Sequence, residues 1–102
     1  MLVVAGTITY DPAYQQEVIA AADRVAALTR LEEGCLSYEF FADLMAPGRI
    51  HVFEEWEEEH HLEAHLQTAH LVEFSEVLRS SGLESRDINR YFVSSKRPNR
   101  SS

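Results

Sequence analysis

Between residues 49 and 74 the hydrophobic pattern of this chain changes period. Ile50, Val52, Glu54 and Trp56 alternate with polar neighbours and share one strand face, and around Glu57 the pattern becomes helical. Upstream, residues 2–10 are rich in Val, Ile and Thr and read as a first strand, interrupted by Gly6. A strand glycine marks either a bend or a close approach to the backbone. Asp11-Pro12 opens a helix, with Asp as N-cap and Pro at the first helical position. That helix runs to about Leu31, with Tyr14, Val18, Ala21, Ala22, Val25 and Leu28 as its apolar stripe. Glu32-Glu33-Gly34 ends it.

Residues 35–43 form the second strand, with Leu36, Tyr38, Phe40 and Ala42 on one face and Cys35, Ser37, Glu39 and Phe41 on the other. Ala46-Pro47-Gly48 turns the chain into the third strand, residues 49–56. Two helical segments follow, at about 58–67 and 69–79, the later one capped by Thr68 and turning Leu71, Phe74, Val77 and Leu78 inward. Residues 84–95 read as a fourth strand on the β character of Tyr91-Phe92-Val93, although Asp87, Asn89 and Arg90 blur its core face. The order β-α-β-β-α-β predicts an α+β, ferredoxin-like fold: an antiparallel sheet with its helices on one face. Residues 1–96 make a single domain and 97–102 a polar tail. Large apolar groups on both faces of the second strand imply that the face without helices is also covered, most economically by a second copy. The expected assembly is a homodimer.

Charge narrows the possible partners. With 102 residues and a formal net charge of -8, the chain lacks the basic surface that nucleic acid or an anionic membrane requires. No apolar run is long enough to span a bilayer, and the N-terminus reads as a strand and not a signal peptide. The single cysteine, Cys35, cannot form an internal disulfide and suits a reducing cytoplasm. Without a basic neighbour in sequence it reads as a buried structural thiol and not a nucleophile.

The chemistry-bearing residues cluster in the same central stretch. Glu54, Trp56 and four of the five histidines lie within residues 54–70. A carboxylate sharing a strand face with Val52 and Trp56 must find a partner, and His65 or His70 is the obvious one. Such a Glu-His pair could be structural or a proton-transfer site, and the residues alone leave both open. His61 and His65, four apart, could share one ion, but HLEAH is not the HExxH zinc pattern and no third ligand follows at a persuasive spacing. No metal is therefore expected. Phosphate loops, dinucleotide fingerprints and nucleophile elbows are absent too, so an enzyme of this sequence would use no nucleotide cofactor.

Glu33-Gly34-Cys35-Leu36-x-Tyr38, Asp43, Pro47, Glu54-x-Trp56 and His65-x-x-x-x-His70-x-x-x-Phe74 resemble the antibiotic biosynthesis monooxygenase family. That family includes small quinol monooxygenases, an isomerase and haem-degrading relatives. The resemblance covers nearly the whole chain and implies a dimeric α/β barrel built from two ferredoxin-like units. It makes Trp56 a pocket tryptophan and places Glu54, His65 and His70 near the pocket. It also shows departures: Gly6 and Ser75 stand where haem-degrading members need an Asn and a His, and Val52 where polyketide oxygenases carry an Asn. Haem is therefore not expected.

The activity that the resemblance implies is a cofactor-independent monooxygenase that converts an electron-rich phenol or hydroquinone to a quinone with O2. Trp56, Tyr38 and Phe40 would wall a small aromatic substrate, with Gly6 leaving room beneath the ring. His65 or His70 would handle the proton, oriented by Glu54. Two alternatives stand beside it: an isomerase or tautomerase of a small hydroxy-carbonyl compound, and a non-catalytic dimeric binding module.

Overall fold

The chain path follows directly from its local signals in a computed structural model that describes residues 1–100. Strand β1 (Leu2–Thr9) ends at Asp11, whose carboxylate accepts the Ala13 amide at 3.0 Å and caps a single 3-10 turn, Pro12–Tyr14. That turn runs on into helix α1 (Gln15–Thr29). The buried stripe of α1 is Val18, Ala21, Ala22, Val25, Ala26 and Thr29. Tyr14 and Leu28, expected in the stripe, are exposed instead. The 3-10 turn rotates Tyr14 off the helical face, and Thr29 is accommodated because its hydroxyl donates to the Val25 carbonyl at 2.6 Å.

Strands β2 (Cys35–Ala42) and β3 (Arg49–Trp56) form the expected hairpin. Asp43 shapes its turn by accepting the amides of Met45 and Ala46 at 2.8 and 3.0 Å, and Gly48 closes it at φ 77°, a left-handed backbone that favours glycine. Helices α2 (Glu59–His65) and α3 (Ala69–Ser80) and strand β4 (Ser85–Phe92) complete the chain. Helix α2 stops short of the expected 58–67 because Leu66 and Gln67 form the turn into α3.

The four strands run in the order β2-β3-β1-β4, each antiparallel to its neighbour. This is the α+β ferredoxin-like sheet the element order predicted, open at both edges. Registers such as Tyr38↔Glu54 and Glu54↔Val4↔Arg90 place the even-numbered strand residues, Leu36 excepted, on the helix side of the sheet. Beneath the helices the core gathers Leu2, Val4, Ile8, Tyr38, Ile50 and Trp56 from the sheet with Val18, Val25, Leu62, Phe74 and Leu78 from above. The opposite face is bare in the chain taken singly, and Phe41, Phe53 and Tyr91 stand exposed on it.

One strand-face assignment is corrected. The pairing of β2 with β3 skips Leu36, since Cys35 faces Trp56 while Ser37 faces Glu55. This bulge turns Cys35 towards the core and leaves Leu36 exposed. A second correction concerns Gly6. A Cβ there would collide with the Asp87 carbonyl and lie 2.6 Å from the Ile88 Cα, so the space beside Gly6 is filled by the backbone of β4. Close strand approach explains this glycine, and it leaves no room for a ligand. Among the described residues, no helix is long and apolar enough to cross a membrane.

Candidate active site

Between the helix-bearing side of the sheet and helices α2 and α3 lies a cavity of about 240 Å³. Cavities of about 150 Å³ hold benzene, so one substituted aromatic ring fits. Its walls are largely apolar: Val4 and Val52 from the sheet, Tyr38 and Phe40 from β2, Leu62 from α2, and Leu71, Phe74 and Leu78 from α3. Phe40 packs against Phe74 and edge-on to Tyr38, at centroid distances of 5.2 and 5.5 Å. Glu54 and His65 bring polarity to this lining, and Arg86, Asn89 and Arg90 of β4 add polar groups on the β4 side.

His65 is the best-fixed polar group. It is the last residue of α2, and its ring is 5.3 Å from Tyr38 and 5.1 Å from Trp56. Its carbonyl accepts from the Thr68 hydroxyl at 2.8 Å, and that hydroxyl in turn accepts the Leu71 amide, so one threonine locks the turn between α2 and α3. His70, at the start of α3, is thereby carried to 6.2 Å from His65, ring centre to ring centre. Both rings reach the same carboxylate oxygen: Glu32 Oε2 is 2.9 Å from His65 Nδ1 and 2.7 Å from His70 Nε2. A carboxylate only accepts, so each ring presents an N–H to Glu32. His65 is then left with Nε2 as a lone-pair nitrogen, and among the described residues that nitrogen has no protein hydrogen bond. Burial holds the His65 pKa below the usual imidazole range, although its bond to Glu32 opposes the shift.

Glu32 is the residue that sequence reasoning missed. It stands just beyond α1, in the turn where its amide donates to Thr29 O and its carbonyl accepts from Cys35, and nothing near it in sequence hints at a histidine 33 positions away. The expected Glu54-histidine pair is corrected accordingly. Glu54 Oε1 accepts the indole N–H of Trp56 at 2.9 Å, the two side chains sharing a face two residues apart. Desolvation raises the Glu54 carboxyl pKa to about 7, the Trp56 bond lowering it and the Glu32 charge adding to the rise. The second oxygen of Glu54 and the hydroxyl of Tyr38 also lack protein partners among the described residues. Burial, with the Glu54 and Glu32 charges, pushes the Tyr38 hydroxyl pKa up.

The remaining candidates divide clearly. Phe40 and Tyr38 line the cavity. Trp56 does not: it has no exposed surface, and it backs His65 and Glu54 from behind. His61 does not pair with His65. It lies over Gly34, where any Cβ would strike its imidazole, with Nδ1 buried and without a hydrogen-bond partner among the described residues and Nε2 3.9 Å from Glu33. Cys35 packs on the core, and burial together with Glu32 and Glu54 pushes its thiol up to about 11, far from a reactive thiolate.

An antiparallel ferredoxin-like sheet carrying a small apolar cavity with an oriented histidine defines a small α+β domain with a ring-sized pocket. This chain belongs to the antibiotic biosynthesis monooxygenase family, whose model matches residues 1–77. It is similar to the "Probable quinol monooxygenase YgiN" of Escherichia coli K12, with 35% identity over 94 residues covering 82% of this chain and 90% of the relative. A solved structure from Deinococcus radiodurans superposes with a TM-score of 0.91 at 22% identity, covering 97% of this chain and 98% of the other. PA3566 from Pseudomonas aeruginosa gives a TM-score of 0.82 at 26% identity, covering 92% and 94%.

Proposed function

We propose that this protein oxidises an electron-rich phenol or hydroquinone to a quinone with O2, without a bound cofactor. The observation that carries the reading is His65, whose Nδ1 is held by Glu32 and whose Nε2 is unpaired in an apolar, ring-sized cavity. The quinol monooxygenase named among its relatives supports the substrate class. In the proposed reaction Nε2 takes the phenolic proton, and Glu32 stabilises the resulting imidazolium as the orienting carboxylate does in other His-based sites. The phenolate passes one electron to O2, and recombination at a hydrogen-bearing ring carbon, para to the oxygen in a simple phenol and ortho to it in a hydroquinone, gives a peroxide. Loss of the ring hydrogen and cleavage of the O–O bond leave one oxygen atom on the quinone and release the other as water. Glu54, poised at about pH 7, can return a proton to the departing oxygen. Tyr38, Phe40 and Phe74 exclude water from the peroxide.

The reading includes a homodimer formed through the helix-free sheet face. Its support is the exposure of Phe41, Phe53 and Tyr91 together on that one face, since large apolar groups gathered on a sheet face are commonly covered.

Oxygen uptake with a panel of catechols, hydroquinones and anthrones tests the reaction. Uptake above background, with quinone formed and one water released per O2 consumed, is expected. Turnover of a hydroxy-carbonyl compound under anaerobic conditions, with no oxygen uptake from any phenol, would instead identify an isomerase.

A further inference from the structure

We propose that Glu32, His65 and His70 form a binding site for a divalent first-row metal ion such as Zn²⁺, and that its occupation switches the tautomer of His65. Each offers one donor atom, and the three lie within 4.8 Å of one another; Glu32 Oε2 meets His65 Nδ1 and His70 Nε2 directly. In a tetrahedral zinc site with bonds of roughly 2.0–2.1 Å, donors stand about 3.3 Å apart. The two N···O distances here, 2.9 and 2.7 Å, need open by only a fraction of an ångström to admit the ion. Two imidazoles and one carboxylate with a free coordination position are a common set for zinc and its first-row neighbours.

The scaffold favours binding over collapse. The three ligands come from the turn after α1, the end of α2 and the start of α3, and the Thr68 hydrogen bonds fix the last two relative to each other. His65 is packed against Tyr38 and Trp56, so its ring cannot swing away. Glu32 and His70 are 16% and 20% exposed, which opens a path for the ion and room for a water as fourth ligand. Other histidines offer less. Among the described residues, His51 meets the carboxylate of Asp43, and His61 has beside it His60 and a Glu33 that is 93% exposed, neither making a three-ligand cluster.

The same three groups satisfy one another by hydrogen bonds when no ion is present, so the site can exist empty and folded. Filling it changes the chemistry of the cavity. A neutral imidazole that binds metal through Nδ1 carries its proton on Nε2. The cavity-side nitrogen of His65 is thereby converted from an acceptor to a donor, with no net release of protons. That this blocks turnover rests on the oxidation reading above, in which Nε2 is the base; metal binding itself does not.

Titrating metal-free protein with Zn²⁺ by calorimetry, and with Co²⁺ by visible absorption, tests the site. One ion per chain is expected, with the d–d bands of four- or five-coordinate cobalt. Glu32→Gln and His70→Ala should each weaken binding by roughly tenfold or more. His51→Ala should leave it unchanged. Long-range ¹H–¹⁵N spectra of the wild-type histidines need no variant, and should show the His65 proton moving from Nδ1 to Nε2 as zinc is added. Absence of stoichiometric binding, binding indifferent to both Glu32→Gln and His70→Ala, or an unchanged His65 tautomer would each overturn the proposal. None of these readouts depends on oxygen uptake, so a failed oxidation test and a failed metal site are separately visible.

Discussion

Glu32 is an ordinary helix-end glutamate in sequence and the acceptor for two histidines in the fold, which makes Glu32→Ala the most informative single change. The substitution leaves two imidazole N–H groups without their acceptor. Hydrogen bonds to charged groups contribute about 1.5–3 kcal/mol each. The bond from His65, a ring only 2% exposed, should count nearly in full, whereas His70 can turn to water and should lose much less. The sum is a destabilisation of about 2–4 kcal/mol, or a fall in Tm of about 10–25 °C for a domain of this size. Glu32→Gln provides the contrast. Its amide oxygen can still accept from both rings, so the loss of stability should stay near 1 kcal/mol, as for a typical neutral hydrogen bond. The negative charge that supports an imidazolium is gone, however, and turnover should fall by about 10²-fold or more. Urea unfolding followed by circular dichroism, at one fixed protein concentration, measures the first quantity, and oxygen uptake per folded chain the second. A Glu32→Ala protein within about 0.5 kcal/mol of wild type would refute the view that this carboxylate organises the two rings.

Three further outcomes follow from the same structure. Glu54 has its pKa raised from 4.5 in the unfolded chain to about 7 in the fold, so between those values the folded state binds the extra proton. Its contribution to stability is therefore present below pH 4.5 and lost as pH rises to 7, about 3 kcal/mol in all; Glu54→Gln should flatten that part of the stability-pH curve, and an unaltered curve would show that Glu54 is not desolvated. Gly6→Ala forces a methyl into the backbone of β4 and should destabilise by several kcal/mol or detach β4, visible as faster amide exchange in residues 85–92; an unperturbed variant would mean that the two strands can part freely. Light scattering at micromolar concentration should report twice the 11.6 kDa chain mass, and Phe41→Glu with Phe53→Glu should shift it towards one; a wild-type monomer would remove the sheet-face dimer.

How much of this was legible in the chain depends on the range of the interaction. Period-2 and helical patterns are local, as are the Asp11-Pro12 and Thr68 caps and the Gly48 turn, and these alone specify the element order and hence the ferredoxin-like sheet. The clustering of Glu54, Trp56, His65 and His70 in one stretch is also visible in the sequence, and of these Glu54 and His65 line the cavity. What each side chain meets there is not local. Hydrogen bonds join particular atoms, and which atoms approach is decided when α1 packs across the sheet and brings its C-terminal turn over the α2–α3 junction. That packing, and nothing in the spacing of residues 32, 65 and 70, gives both histidines to Glu32. Glu54 is then left to Trp56, its neighbour on the same strand face. The bulge at Leu36 and the approach of β4 to Gly6 have the same origin. Alternation predicts two strand faces, but only the registry of one backbone against another decides where a residue drops out of the ladder and where a Cβ has no room.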